Sequence, residues 1–160
     1  MLVAPPQREY RTWIVDSRRW RHYAPRPDDI VIATYPKCGT TWMQRIVSLL
    51  VFQTTEPIPI TQISSWIDRR FPQSIEAAVA QIEAQKHRRF LKSHLPFDGL
   101  PFYDDVKYIH VARDGRDACM SFHNHGRSFT DQMIDALNKS GLEDDTIGRP
   151  YPGVPFDAGR

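Results

Sequence analysis

The sequence contains few cysteines, almost no excess charge and no long apolar run. Its two cysteines are too few for a disulfide framework, and nothing in the sequence indicates export. A formal net charge of +2 is too small for a nucleic-acid coat or a polybasic membrane anchor. No apolar run reaches the roughly 18 residues of a membrane helix, and the N-terminus has no signal-peptide pattern. We therefore expect a cytoplasmic protein without a membrane span and without nucleic acid among its partners.

The 160 residues fit one domain of ordinary size, because domains cluster at roughly 100–150 residues. We expect a single domain over residues 1–160 that starts with a basic segment, residues 1–27. In that segment we expect the aromatic side chains to pack on the domain while the arginines stay in water; a surface for an acidic ligand or nucleic acid is the alternative. Residues 140–160 are rich in Gly, Pro and Asp and predict a loop-like tail. Compact domains seldom end on such a tail, so we expect the domain to be incomplete.

Strand-like and helix-like segments alternate along the chain, which favours an α/β fold with a parallel sheet flanked by helices. The run Ile30–Thr34 is short, apolar and rich in β-branched residues, as in a buried parallel strand. The helix predicted from Trp42 to about Phe52 is apolar nearly all round, so we expect it to be buried. The remaining predicted elements are a helical turn near 64–69 within the irregular residues 54–72, a helix that Ser74 caps and that ends in the basic run 86–89, strands at 90–92 and 106–112, and a helix from Arg116 to about His125.

The segment Thr34–Trp42, with the sequence TYPKCGTTW, carries the most specific signal. A buried strand ends there, a turn with Lys37 and Gly39 follows, and Thr40 or Thr41 is expected to cap a helix. Backbone amides at a helix N-terminus converge on one point, where the helix dipole favours an anion. Gly39 lets the backbone approach that anion, Lys37 adds a positive charge, and the threonine hydroxyls add hydrogen bonds. The sequence therefore predicts a phosphate or sulfate site.

This loop differs from the two common nucleotide-binding loops. It is not a Walker A loop, because its lysine precedes the glycine instead of following it, and no glycine lies five positions before Gly39. The GxGxxG fingerprint of dinucleotide-binding folds is absent as well. A P-loop kinase or NTPase is therefore disfavoured, and the sequence also shows no clear aspartate for Mg²⁺ after a strand.

Three segments resemble, in order and spacing, the motifs of the cytosolic-type sulfotransferases, which use 3′-phosphoadenosine 5′-phosphosulfate (PAPS). Tyr35–Trp42 is similar to the family's 5′-phosphosulfate loop, with Cys38 where the family commonly has serine. Leu91–Pro96, LKSHLP, is similar to the segment that carries the catalytic histidine, and Tyr108–Phe122 is similar to the 3′-phosphate segment. The resemblance covers about residues 28–130, looks bacterial, and implies a P-loop-like three-layer fold. It implies transfer of a sulfuryl group from PAPS to a hydroxyl or amine of a small-molecule acceptor.

The resemblance also implies roles for individual residues. His94 would take the acceptor proton as general base, which suits its unperturbed pKa of about 6.5. Lys37 would stabilise the leaving phosphate, and Lys92 would share that role. A sulfuryl group carries less charge than a phosphoryl group, so no metal is expected. The residues implied for cofactor binding are Lys37, Cys38, Gly39, Thr40 and Thr41 at the 5′-phosphate, Trp42 at the adenine, and Arg113 and Ser121 at the 3′-phosphate.

The predicted site residues also have plainer interpretations. Cys38 stands beside Lys37 at a helix N-terminus, which predicts a reactive thiol, with an inert buried cysteine as the alternative. For the other residues the alternative is a purely structural role: a loop histidine at 94, a solvated lysine at 92, a core tryptophan at 42, an arginine at 113 that pairs only with Asp114 or Asp117, and an ordinary helix serine at 121.

The family carries a further C-terminal segment that clamps the 3′-phosphate and the adenine, and this sequence contains no match to it. We therefore expect the chain to lack the C-terminal part of the fold, as a fragment or a natural truncation. A homo-oligomer or a completing chain is a candidate partner. The alternative function is a non-catalytic or truncated remnant that still binds the nucleotide. An apolar acceptor pocket is expected from Ile58, Ile60, Trp66 and Phe71 and from Phe97–Tyr103.

Overall fold

The structure is a computed structural model that describes residues 1–70 and 72–142, and within 139–142 it describes the backbone alone. Strands and helices alternate along most of this part of the chain. The strands are β1 (Leu2–Ala4), β2 (Ile30–Thr34), β3 (Phe90–Ser93), β4 (Phe102–Tyr103) and β5 (Lys107–Val111). The helices are α1 (Thr40–Phe52), α2 (Ile60–Ile63), α3 (Ile75–Glu83), α4 (Gly115–Arg127) and α5 (Asp131–Leu142), with short 3₁₀ helices at Ser17–His22 and Phe97–Gly99.

The strands β3, β2 and β5 form a parallel sheet in that order within the described part of the chain. Ile30 lies opposite Phe90 of β3 on one side and Lys107 of β5 on the other. The strands β1 and β4 form a separate antiparallel pair. The predicted strands at 30–34, 90–92 and 106–112 are therefore confirmed to within one residue at either end.

Alternate residues of β2 face opposite sides of the parallel sheet, as the pleat of a strand requires. Ile30 and Ile32 pack with Val47 of α1 and Phe90 on one side. Val31 and Ala33 belong to a larger core on the other side of the sheet. The other members of this core come from the N-terminal segment, α3, β3 and the loops next to them, namely Val15, Trp20, Tyr23, Ile67, Ile82, Leu91, Leu95, Leu100 and Val106. The sheet thus lies between two covering layers, and the predicted α/β fold with a parallel sheet flanked by helices is confirmed.

Helix α1 is less buried than its composition predicts. Trp42, Ile46 and Leu50 are 80%, 44% and 66% exposed, and their spacing of four residues places them on one stripe of the helix. The opposite side, with Val47 and Ser48, is buried against the sheet. The prediction of a helix buried all round is therefore wrong for the described residues, because the sheet covers only one side of α1.

Helix boundaries differ from the predictions at three places. Gly39, with φ of 98°, is the N-cap of α1, so the expected threonine cap is wrong. The helical turn expected near 64–69 lies earlier, at α2. Ser74 does cap α3, since its hydroxyl accepts the amide hydrogen of Ala77 at 3.2 Å. That helix ends at Glu83, so the basic run 86–89 is not its last turn.

The N-terminal segment is more deeply embedded than predicted. Trp20 is buried, and its indole N–H donates to Asp68 at 2.8 Å. Arg19 is buried as well, and it donates to the backbone carbonyls of Arg69 and Gln73. The expectation that the aromatic residues pack is confirmed for Trp20. The expectation that the arginines stay in water is wrong for Arg19, because those carbonyls need a donor.

The C-terminal part of the described chain is helical. Helix α4 extends the predicted helix by one residue at its start and two at its end, and α5 was not predicted. The tail expected from residue 140 begins inside α5, so residues 140–142 are helical, and residues 143–160 lie outside the described residues. Across the described residues, none of the helices combines the length and the apolar character needed to cross a membrane.

Candidate functional site

The site lies at the carboxyl edge of the parallel sheet, where the three strands end side by side. Lys37 follows β2, His94 follows β3 directly, and Arg113 follows β5. Open parallel sheets bind ligands at this edge, because loops and helix N-termini meet there. The order of the strands thus brings together residues that are as many as 76 positions apart, as in the 3.4 Å contact from the Arg113 guanidinium to the carbonyl of Lys37.

The loop between β2 and α1 has an unusual backbone. Lys37 and Gly39 have φ angles of 68° and 98°, in the left-handed region that L side chains disfavour. A Cβ added at Gly39 would meet only Val111 Cγ1, at 3.8 Å, so the glycine is required by its φ angle and not by crowding. No side chain caps α1. The backbone amides of the first turn therefore have no side-chain acceptor at the N-cap, which is the condition under which a helix N-terminus can accept an anion.

Thr34 connects this loop with the histidine. Its hydroxyl contacts the hydroxyl of Thr40, and both residues are buried. Its carbonyl lies 2.8 Å from Nδ1 of His94. The hydroxyl of Thr40 therefore has a partner inside the protein, and its backbone amide lies in the first turn of α1. Thr41, by contrast, is exposed.

His94 is held in one tautomer. A carbonyl oxygen only accepts hydrogen bonds, so Nδ1 carries the proton and Nε2 keeps its lone pair. The pKa of His94 is lowered to about 4, first by burial and then by the positive charge of Lys92, while the hydrogen bond to Thr34 acts in the opposite direction. The expectation of an unperturbed pKa is thus wrong. At neutral pH the ring is uncharged and has a free acceptor nitrogen, as a general base requires.

Lys92 is a partly buried cation beside His94. Its Nζ lies 4.4 Å from the centroid of the Trp66 ring, within the range of a cation–π interaction. The pKa of Lys92 is lowered to about 8, first by burial and also by the charges of Arg69 and Lys37, while the charge of Asp68 acts in the opposite direction. The interpretation of Lys92 as a solvated strand-end lysine is therefore wrong.

Asp68 organises the aromatic wall of the site. It is fully buried and accepts hydrogen bonds from Trp20, Ser93 and Trp66. The ring of Trp66, which is hydrogen-bonded to Asp68, contacts Lys92. The same ring packs edge to face against the ring of His94, with the two centroids 4.8 Å apart. Burial raises the pKa of Asp68, while the three donors act in the opposite direction. Asp68 thus fixes the ring on which Lys92 and His94 both rest.

Arg113 and Ser121 lie on the far side of the loop. The guanidinium of Arg113 also lies 3.7 Å from Asp117, one turn along α4, so its pairing is not restricted to Asp114 or Asp117. Ser121 lies on the same helix, which starts at Gly115 with Asp114 as its side-chain cap. Both residues face the cavity described next.

One cavity of about 1290 Å³ connects these residues. Its lining includes every residue that the sequence predicted for the site: Lys37, Cys38, Gly39, Thr40, Thr41, Trp42, Lys92, His94, Arg113 and Ser121. Two more cations, Arg11 and Arg69, also line it, and among the described residues none of the lining side chains is acidic. The cavity is therefore suited to a strongly anionic ligand.

The apolar part of the cavity differs from the prediction. Of the expected residues only Trp66 lines it, Phe71 lies outside the described residues, and Ile58, Ile60 and Phe97–Tyr103 are not part of its wall. Further apolar lining comes from the N-terminal segment, from α4 and α5 and from the connection between these two helices, namely Trp13, Ile14, Val15, Phe122, Phe129 and Met133. The N-terminal segment reaches the site through backbone pairing of Val15 with Arg69.

Exposure separates two further residues of the loop. Trp42 is 80% exposed, so the interpretation of Trp42 as a core residue is wrong. Cys38 is 6% exposed, and a buried thiol is poorly accessible to reagents. Cys38 therefore fits the inert alternative better than the reactive thiol.

The sequence did not indicate that Thr34, Asp68 and Arg69 belong to the site. The sequence does show an acidic residue two positions after Trp66. The spacing alone did not indicate that the carboxylate of Asp68 is buried and accepts a hydrogen bond from Trp66, because its other donors come from β3 and the N-terminal segment.

Comparison with known proteins gives a consistent result. The sulfotransferase domain family matches residues 27–147. A glycolipid sulfotransferase of Mycobacterium tuberculosis is 41% identical over 132 residues, which cover 82% of this chain and 40% of that protein. Human sulfotransferase 1E1 is 36% identical over 106 residues, 61% of this chain and 35% of that protein. This chain thus spans at most 40% of the length of these two curated relatives.

Solved structures show the same fold. Retinol dehydratase, in a complex with retinol and PAP, matches with a TM-score of 0.55 and 21% identity over 84% of this chain and 50% of that one. Mouse sulfotransferase SULT7A1, complexed with PAP, matches with a TM-score of 0.53 and 23% identity over 76% of this chain and 43% of that one. At these identities the likeness concerns the fold.

Proposed function

The chain belongs to the sulfotransferase domain family, and on this premise we propose that it carries the donor-binding and proton-accepting part of a PAPS-dependent sulfotransferase. The acceptor is a small molecule with a hydroxyl or amine group, and the setting is the cytoplasm. One observation carries the proposal: the anion-binding loop and a histidine in a fixed tautomer line the same cavity.

The residues of the cavity fit a nucleotide with several phosphates. PAPS, when bound, supplies the sulfuryl group and the phosphate that leaves. The amides of the first turn of α1 and Lys37 would hold its 5′-phosphate. Arg113 and Ser121 would hold the 3′-phosphate, and the exposed ring of Trp42 offers a surface for the adenine. The left-handed backbone at Gly39 is the feature that lets the loop amides converge.

In the proposed reaction, Nε2 of His94 accepts the proton of the acceptor hydroxyl. The hydroxyl oxygen then forms a bond to sulfur while the bond between sulfur and the phosphate oxygen breaks. The products are a sulfate ester, 3′-phosphoadenosine 5′-phosphate (PAP) and a protonated His94. Lys37 and Lys92 stabilise the negative charge that grows on the leaving phosphate oxygen. A low pKa keeps His94 ready to accept a proton at neutral pH, and the negative charge of a bound donor would raise it toward that of the reacting group.

The test is calorimetric titration of the purified chain with PAP, with 5′-AMP and ATP·Mg²⁺ as controls. We expect PAP to bind at least tenfold more tightly than 5′-AMP, because only PAP carries the 3′-phosphate. Tighter binding of ATP in the presence of Mg²⁺ would contradict the proposal and favour an NTPase. Binding of PAP without turnover of PAPS in the presence of phenolic acceptors would favour the non-catalytic remnant.

A further inference from the structure

Arg69 is a cation of the cavity that belongs to none of the three sequence motifs. It lies between the N-terminal segment, through the backbone pairing with Val15, and the Trp66 ring, whose centroid is 5.4 Å from its guanidinium carbon. It therefore lines the side of the cavity that the apolar residues Trp13 and Ile14 also line. The loop of Lys37 and Arg113, which precedes α4, also line the cavity.

The guanidinium of Arg69 lacks a counterion in the described part of the chain. Its Nε is buried and has no hydrogen-bond partner there. Burial alone lowers the pKa of Arg69, with no acidic group acting against it. Its charge acts on another cation of the cavity, because it lowers the pKa of Lys92. The Arg69 side chain is half-buried, and a buried N–H without an acceptor is costly, so the arrangement favours an anion from outside the protein.

Neighbouring arginines show what a structural role looks like here. Arg19 donates to the carbonyls of Arg69 and Gln73, and Arg70 donates to the carbonyl of Thr12 at 2.8 Å. Each of them ties two segments of backbone together. The Arg69 side chain makes no such bond among the described residues, and it is the one of the three that lines the cavity.

We propose that Arg69 binds an anionic group of the acceptor, so that the substrate class comprises molecules in which a carboxylate, phosphate or sulfate accompanies the reacting hydroxyl. This inference rests on the proposed function, which assigns the donor phosphates to the loop and to Arg113. The planar guanidinium matches two oxygens of such a group. Trp66 and the apolar wall would contact the part of the acceptor between its anion and its hydroxyl.

The test measures anion preference directly by binding. In each of two pairs of phenols one member carries an anionic group and the other is neutral: 4-hydroxyphenylacetate with its methyl ester, and tyrosol phosphate (phosphorylated on the alkyl hydroxyl) with tyrosol. Each is titrated calorimetrically into the purified chain, with and without saturating PAP. We expect the anionic member to bind roughly tenfold more tightly than its neutral partner, because a hydrogen-bonded charge contributes on that order. Comparison of the two pairs distinguishes a carboxylate from a phosphate as the preferred group.

Three variants assign the preference to one residue. Arg69→Gln is expected to remove it, Arg69→Lys to keep part of it through the charge alone, and the matched control Arg70→Gln to leave it unchanged. Equal affinities for the members of both pairs in the unmodified chain would overturn the inference. So would an Arg69→Gln variant that keeps the preference and instead binds PAP more weakly, since Arg69 would then contact the donor.

Failure of the proposed function gives a different pattern. If PAP does not bind, the donor assignment is wrong, and the titrations without PAP still decide whether Arg69 binds an anion. If PAP binds and the pairs show no difference, the proposed function stands and the role of Arg69 is wrong.

Discussion

The two edges of the parallel sheet differ in how their charged side chains are paired. At the amino edge, Asp29 and Arg89 directly precede β2 and β3, and their side chains are 2% and 0% exposed. They form an ion pair in which Arg89 also donates to Glu83 and to the carbonyl of Ala24, each at 2.8 Å. At the carboxyl edge, Lys37, Lys92, Arg69 and Arg113 line a cavity without an acidic side chain among the described residues.

This difference distinguishes charged side chains that the protein itself pairs from charged side chains that are available to a ligand. Asp29 also accepts from the Tyr23 hydroxyl at 2.6 Å and from the amide of Arg26 at 2.9 Å, so the amino edge is satisfied by the protein itself. A buried pair of this kind holds its geometry without any ligand. The cations of the carboxyl edge repel one another, and among the described residues that line the cavity no carboxylate balances them; Arg113 has only an exposed contact with Asp117 outside the cavity wall. The contrast predicts that changes at the amino edge affect stability and that changes at the carboxyl edge affect binding and turnover.

The largest expected effect concerns turnover at the carboxyl edge. His94→Ala is expected to lower kcat by roughly 10²–10⁴-fold, the usual contribution of a general base, while the affinity for PAP changes little. The measurement is steady-state sulfation of a phenol with PAPS, combined with calorimetric titration of PAP.

His110 provides a matched control for this variant. Its Nδ1 lies 2.9 Å from the carbonyl of Ala33, in the same strand as Thr34, but it does not line the cavity. His110→Ala is expected to leave kcat within about twofold of the unmodified chain, because it is not placed to accept the acceptor proton. Equal losses of kcat in the two variants would show that His94 has only a structural role.

The next effect concerns stability at the amino edge. Arg89→Met leaves Asp29 buried without its cation, so the free energy of unfolding is expected to fall by about 3–5 kcal/mol. Arg88→Met is the control: Arg88 lies 3.6 Å from Asp28 in an exposed pair, and its loss is expected to cost at most about 1 kcal/mol. Urea unfolding of both variants measures this difference. Similar losses would mean that the amino edge is not a structural ion pair of the kind described.

The smallest effect is a pH dependence that belongs to the carboxyl edge. The pKa of His94 is lowered to about 4, against about 6.5 in the unfolded chain. Between these values the unfolded chain binds a proton that the folded chain does not, so stability falls as the pH falls. His125 contributes in the same direction, because burial lowers its pKa as well.

This pH dependence is measured by urea unfolding at pH 6.5 and pH 5. The unmodified chain is expected to lose about 1–2 kcal/mol more than His94→Gln between these pH values. Glu83 at the amino edge does not obscure the comparison, because its pKa is lowered by its hydrogen bond to Arg26 and its contribution therefore disappears only below its usual pKa. Identical losses in the two proteins would contradict the lowered pKa of His94.

The sequence predicted the sheet better than its surroundings. Ile30–Thr34 is a strand because five consecutive residues, most of them β-branched, suit a position buried on both faces. Helix α1 shows the limit of such patterns, since its composition predicts burial all round and the sheet covers one side. Arg89 shows another limit. A basic run suggests a helix end, but the pairing with Asp29 depends on which strands are neighbours.

The site was predictable as a set of residues and less so as an environment. The motif residues lie together because the parallel strands end together, and the order of motifs along the chain already implied this. The pKa of His94 was not predictable, because it depends on burial and on Lys92. The roles of Asp68 and Arg69 were not predictable either. They follow from contacts with Trp66, Ser93 and the N-terminal segment, which only the folded chain brings together.

Thr34 has a consequence for the thermodynamics of ligand binding. Its side chain contacts Thr40 and its carbonyl accepts from His94, so one buried residue restrains both the loop and the base. Side chains and loops that are already fixed lose little conformational entropy when a ligand arrives. Through Thr34, the ordering of the loop and of His94 takes place when the chain folds, so the binding of a ligand in the cavity would not carry that entropic cost.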